Sequence, residues 1–399
     1  MRPLILLLIA LVPATWARAT HLIGGELYYT SVGNGQYEVT LKMYRDCGPN
    51  NTNGTGFDAT AIIAAYRLDN NAFVTSVSVP LSGTTDVPIA LNNPCLTPPG
   101  TICVEEGLYV ATMTLPGGLG GYTLAYQRCC RSPAVINLDA PETQGLTCTV
   151  TIPDTDVSGE NSSPRFSAYP SIALCADQPM AFAHDATDPD GDELVYDLCA
   201  PFIGGDQFNP LPNPPDPPAY STVDWAFGYS AANMIDAAPP LTIDPSTGFV
   251  TLTPTLIGSF CVGVRVKEFR NGVQLSEVIR DFRFDVVPCV QTVVSSIADQ
   301  DAATLCTGLS MDFENNSTNA DDYHWDFGVP GTDADTSDAE EPSFTFPEAG
   351  TYTVMLVANP GWPCADTSLN TFTLSPPVSV QFAPPPITCI DEQPLTLTA

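Results

Sequence analysis

The sequence predicts an all-β protein made of β-sandwich domains in series, on three observations. Apolar and polar residues alternate in several short runs, and Gly, Pro and Asn punctuate the chain between them. After the first twenty residues no stretch shows a helical apolar period of comparable length. From Gln36 to Tyr44, for instance, Tyr37, Val39, Leu41 and Met43 fall on one face and Glu38, Thr40 and Lys42 on the other. That is the pattern of a half-buried strand, because successive side chains point to opposite sides of a sheet. The period returns in Phe260-Val262-Val264-Val266, Phe282-Phe284-Val286 and Tyr352-Val354-Leu356. A chain of 399 residues with 39 prolines and 29 glycines has turns enough to join many such strands.

In chain order, Arg2, the apolar run Leu4 to Val12 and the small residues Ala17 and Ala19 read as an export signal over residues 1–19, cleaved after Ala19. The run is about half the ~20 apolar residues that a membrane-spanning helix needs, so no transmembrane segment is expected. A first sandwich is expected over 20–154, followed by the polar turn Pro153 to Pro164 as a linker, and a second over 165–288. Pro201 to Tyr220, with seven prolines in twenty residues, cannot supply the N–H groups of a central strand and is expected as an extended surface loop. A third domain is expected over 289–375. Residues 376–399 open like a further, truncated sandwich, which predicts a longer parent protein.

The 45 acidic and 13 basic side chains give a formal charge of −32, and Lys42 and Lys267 are the only lysines. Such a surface repels phosphate backbones, which excludes a nucleic-acid partner. Export makes the 13 cysteines disulfide candidates, and no zinc spacing occurs among them. Adjacent Cys129 and Cys130 are expected to bond to two different partners. Arg45, Asp46, Arg128 and Arg131 stand beside cysteines and are expected as buried ion pairs rather than an anion site. With three histidines, no Gly-Xaa-Ser-Xaa-Gly elbow, no His-Glu-Xaa-Xaa-His and no glycine-rich phosphate loop, the chain is expected to be non-catalytic.

The sharpest chemical signal is Asp185-Ala-Thr-Asp188-Pro-Asp190-Gly-Asp192. Carboxylates of Asp185, Asp188, Asp190 and Asp192 can converge on one hard cation, since Gly191 permits a tight turn and calcium accepts six to eight oxygens in flexible geometry. Like charges packed this closely repel unless neutralised. The loop is not an EF-hand, because its twelfth position is Cys199. A second acidic loop, with Asp333, Asp335, Asp338, Glu340 and Glu341, reads either as solvated or as another cation site.

The Asp185 to Asp192 segment, with Leu241-Thr-Ile-Asp244-Pro-Ser-Thr-Gly248 and Gly258 to Glu268 downstream, resembles the calcium-binding loop of cadherin-like bacterial surface domains. Tyr323-His-Trp325-Asp326-Phe327-Gly328 and Gly350-Thr-Tyr352-Thr-Val354 resemble the signature of a polycystic-kidney-disease (PKD) domain across 289–375. That resemblance implies that Trp325 and Phe327 fill a core beside Tyr352, that Asp326 hydrogen-bonds the turn, and that Gly350 takes a backbone angle closed to other residues. Cys306 and Cys364 flank this unit, and a bond between them would stabilise it by roughly 4 kcal/mol. Thr20 to Cys47, Tyr126 to Arg131, Trp225 to Ser230, Glu268 to Gly272 and Arg280 to Phe282 together are similar to the N-terminal region of PKD-containing surface proteins of gliding bacteria.

The resemblances imply tandem Ig-like, cadherin-like and PKD β-sandwiches stabilised by disulfides. They also imply export by the type IX route and outer-membrane anchoring through a C-terminal sorting domain beyond Ala399. The expected function is a secreted, calcium-supported cell-surface adhesin or stalk that meets an extracellular glycan or protein surface through loops such as Pro201 to Tyr220. The alternative is the accessory, targeting region of a larger secreted hydrolase acting on polysaccharide or protein.

Overall fold

Turn chemistry and alternation together produce a chain that is almost wholly extended in a computed structural model, which describes residues 22–48, 56–89, 91, 95–96, 98–117, 120–169, 171–289, 293–300 and 308–375. The expected export signal and the expected truncated sandwich at 376–399 lie outside these residues. The chain divides into two units: residues 1–92 with 98–290, and residues 93–97 with 291–399.

In the first unit the strands are β1 (Leu22–Gly33), β2 (Gln36–Asp46), β3 (Thr60–Arg67), β4 (Phe73–Asp86), β5 (Val104–Thr114), β6 (Tyr122–Arg128), β7 (Leu146–Ile152) and β8 (Arg165–Phe166). They continue with β9 (Ala173–Cys175), β10 (Met180–Ala183), β11 (Ala186–Thr187), β12 (Glu193–Cys199), β13 (Thr242–Ile243), β14 (Phe249–Leu252), β15 (Gly258–Arg270) and β16 (Val273–Val287). A single helical turn, α1 (Thr155–Ser158), follows β7. Asn34-Gly35 and Asn271-Gly272 have positive φ at both positions, so they make the tight turns that fold β1 onto β2 and β15 onto β16.

The main sheet runs β1-β2-β5-β4-β3-β6-β7-β16-β15-β12, with β9 beside β16, and β1 also pairs with β16 so that eight strands close on themselves. The segments 20–154 and 165–288, expected as separate sandwiches, therefore fold as one unit. The physical reason lies in β16. From Leu275 to Val286 it is buried on both faces except at Glu277, and it pairs with both β7 and β1. Its charged residues tolerate burial because each has a partner. Arg280 donates to Glu26 Oε2 at 2.6 Å, Arg131 donates to both oxygens of Asp281 at 2.8 and 2.5 Å, and Arg283 donates to Asp46 at 2.9 Å. Of the buried pairs expected beside the cysteines, Arg131–Asp281 is present as such, whereas Arg128–Asp58 and Arg45–Glu105 are only partly buried.

Disulfides staple strand ends. Cys47–Cys103 closes the β2–β5 pair one residue beyond the Asp46–Val104 register, and Cys175–Cys289 closes the parallel β9–β16 edge. One cysteine expectation is corrected. Cys364 is bonded to Cys95, not to Cys306, which lies outside the described residues; the chain brings residues 93–97 into the second unit, and Cys95 takes the thiol.

The second unit has β17 (Ser310–Asp312), β18 (Tyr323–Asp326), β19 (Thr336–Ser337), β20 (Ser343–Thr345), β21 (Gly350–Ala358) and β22 (Asp366–Leu374). β17 pairs with β20, and β19-β18-β21-β22 form a second sheet. Trp325, Phe327, Phe313, Phe346, Tyr352 and Phe372 fill a common core. Asp326 Oδ1 accepts from the Gly328 N–H at 2.9 Å, as expected of a turn-forming carboxylate. Gly350 does not take the special backbone angle. Gly328 does, at φ 72°, where a Cβ would collide with the Thr353 carbonyl.

Candidate metal centre

The acidic loop reaches its partners through strand register. β12 pairs antiparallel with β15, placing Glu193 opposite Phe269 and Leu194 opposite Glu268. The residue just before β12, Asp192, therefore meets the far end of β15. Arg270 Nε and Nη2 donate to its two carboxylate oxygens at 2.8 and 2.5 Å. Within the loop, Asp188 Oδ1 accepts from the Asp190 and Asp192 N–H groups at 2.9 and 3.0 Å, and Gly191 takes φ 81° to allow that turn.

Asp188, Asp192 and Glu268 each present a carboxylate oxygen, and these oxygens lie within 4.8 Å of one another. Oxygens on opposite sides of a calcium ion stand about 4.6–5.2 Å apart, twice the usual Ca–O distance, so one ion spans the group. Glu268 is fully buried, yet no hydrogen-bond donor reaches its Oε1; Asp188 Oδ2 is likewise buried and without a donor. A buried carboxylate oxygen left without a partner is costly. Three carboxylates against the one guanidinium of Arg270 leave two negative charges, which a divalent ion would neutralise.

The electrostatics agree. Burial, reinforced by Asp188 and Asp192, pushes the Glu268 carboxyl up to about 9 against the opposing hydrogen bond from Asn161. Burial also raises Asp188. The Arg270 hydrogen bonds lower Asp192, and Asp192 in turn raises Arg270. A protonated Glu268 is the fold's alternative to a cation.

Of the four aspartates expected from the sequence, Asp188 and Asp192 converge; Asp185 and Asp190 do not. The backbone of Asp185 leads into β11, whose pairing with β8 draws it aside, and the Tyr196 hydroxyl fixes Ala186. Asp190 turns outward, and its Oδ2 accepts from the Ser162 N–H at 2.6 Å. Sequence reasoning missed Glu268, Arg270 and Asn161. A signal for Glu268 was present: it continues the face of Phe260, Val262, Val264 and Val266, so alternation alone places a carboxylate on the buried side of β15.

The second acidic loop forms no such group among the described residues. Asp335 accepts from the Val329 N–H and Asp338 pairs with His324 Nδ1 at 2.7 Å, both local structural roles. The proline-rich stretch is strapped to the sheet rather than free. The Tyr66 hydroxyl donates to Pro215 O and the Cys129 N–H to Pro210 O, although Phe208 stays 85% exposed. No helix among the described residues is long and apolar enough to cross a membrane.

No protein-family model matches the chain. It is 25% identical over 201 residues to integrin beta-like protein A of Dictyostelium discoideum, a match that covers 49% of this chain and 8% of that protein.

Proposed function

We propose that the chain is part of an exported, non-catalytic surface protein, an adhesin or stalk whose β-sandwich modules are held by disulfides and by a bound calcium ion. The observation that carries this reading is the buried carboxylate of Glu268, whose Oε1 has no donor, facing Asp188 and Asp192. Calcium is the favoured ion because all three ligands are hard oxygens and calcium accepts six to eight of these in flexible geometry. Disulfides persist in oxidising compartments, which supports export through the signal read at residues 1–19. The similarity to a protein named integrin beta-like supports an adhesive rather than a catalytic part. The PKD-like reading of 289–375 and export by the type IX route of gliding-associated surface proteins rest on the sequence resemblance alone and are part of the same proposal.

A partner would be an extracellular glycan or protein surface, met by loops at the module ends. Calcium would contribute charge neutralisation and stiffness rather than chemistry, with Asp188, Asp192 and Glu268 holding it. Shaving intact cells with an impermeant protease tests the reading: the account expects the chain to be lost from the cells together with their attachment to coated surfaces. Retention of the chain inside shaved cells overturns it.

A further inference from the structure

The acidic group does more than gather carboxylates, because the segment after β7 is wired into it. Arg270, while binding Asp192, also donates through Nη1 to the Ser158 and Glu160 carbonyls at 3.0 and 3.3 Å and through Nη2 to Asn161 Oδ1 at 2.9 Å. Asn161 Nδ2 donates to Glu268 Oε2 at 3.1 Å, and the Ser162 N–H donates to Asp190 Oδ2 at 2.6 Å. Asn161, Ser162 and Ser163 are all buried although the stretch is polar and carries no strand. Residues 158–162 are therefore fastened at one end of the sheet by the same groups that face one another across the carboxylate cluster.

From this wiring we propose that the cation held by Asp188, Asp192 and Glu268 is a clasp. By drawing the three carboxylates together it aligns Arg270, Glu268 and Asp190 to grip residues 158–162. The inference rests on the calcium reading above and adds what the ion controls. With the ion removed, nothing draws Asp188, Asp192 and Glu268 onto a common centre and the grip on the segment loosens, while the sheet itself, held by its ladders and disulfides, persists. The consequence extends to recognition. The same segment supplies Glu160 to the lining of a cleft of about 520 Å³ that Tyr37 and Tyr122 also line, so the clasp also fixes that part of the wall.

Hydrogen-exchange mass spectrometry resolved to single residues, on the whole chain with calcium chloride or with chelator, tests the clasp. Calcium is expected to slow exchange of the Ser162, Asp190 and Asp192 amides by about tenfold and to leave the β2–β5 amides unchanged. Magnesium at equal ionic strength, which prefers a tight octahedral shell, is expected to give little of this effect. Glu268→Gln, which keeps the shape but removes a charge, is expected to abolish the difference; Asp188→Asn asks the same should the first variant fail to fold. Calorimetry on the same samples separates the two claims. Calcium binding without protection of Ser162 overturns the clasp and leaves the calcium reading standing, whereas absence of calcium binding overturns both.

Discussion

His184 is 2% exposed, neither ring nitrogen has a hydrogen-bond partner, and the rings of Phe166, Phe182 and Phe284 surround it. Burial, and secondarily the charge of Arg280, holds its pKa well below the ordinary histidine value. The folded side chain is neutral while the unfolded one binds a proton below about pH 6.5, so this residue's contribution to stability is lost as pH falls through that value, at up to about 1.4 kcal/mol per pH unit. His184→Phe is expected to flatten the acid side of the stability–pH curve, measured by urea unfolding at several pH values. At the same scale, Gly328→Ala is expected to destabilise the second unit by about 1–3 kcal/mol, because φ 72° and the Thr353 carbonyl both oppose a Cβ, whereas Gly350→Ala is expected to cost less. The resemblance implied the special backbone angle at Gly350, whereas Gly328 takes it. Which glycine takes it depends on the approach of β21, and that is a property of the packed sheet.

β16 shows how an element can be read correctly and placed wrongly. Its alternation, Phe282, Phe284 and Val286, was legible as a half-buried strand. Its other face carries Asp281, Arg283 and Asp285, a charged pattern that reads as solvent-facing, yet all three are buried. Partners far along the chain, Arg131 and Asp46, made the difference, and no local pattern reveals them. Because Arg131 and Asp281 are each only 3% exposed at the side chain, truncating one leaves the other charged and buried. Asp281→Ala is expected to cost about 3–5 kcal/mol, while Asp69→Ala, from the exposed Arg67–Asp69 pair, is expected to leave the denaturation midpoint nearly unchanged. Chemical denaturation of the two variants checks the contrast. The β15–β16 hairpin was likewise legible in Asn271-Gly272, and reading it would have brought Glu268 and Arg270 within reach of Asp192 through β12.

Across the whole molecule, the all-β class and its disulfide reinforcement were legible because alternation and cysteine content are local and compositional. The joining of 20–154 to 165–288 was not, since it depends on which strands pair. Cys175–Cys289 closes a loop with a sequence separation of 114, and chain-entropy reasoning gives it roughly 5 kcal/mol. Cys175→Ser with Cys289→Ser is expected to lower the melting temperature of the first unit accordingly, with the transition of the second unit unmoved. The acidic surface and the buried, unpartnered Oε1 of Glu268 support the proposal that a cation stands here where most folds use a paired charge. Calcium titration of the whole chain by calorimetry tests that claim most directly. The account predicts saturable binding that Glu268→Gln abolishes and Asp185→Asn leaves intact; binding unaffected by Glu268→Gln, or no binding at all, would contradict it.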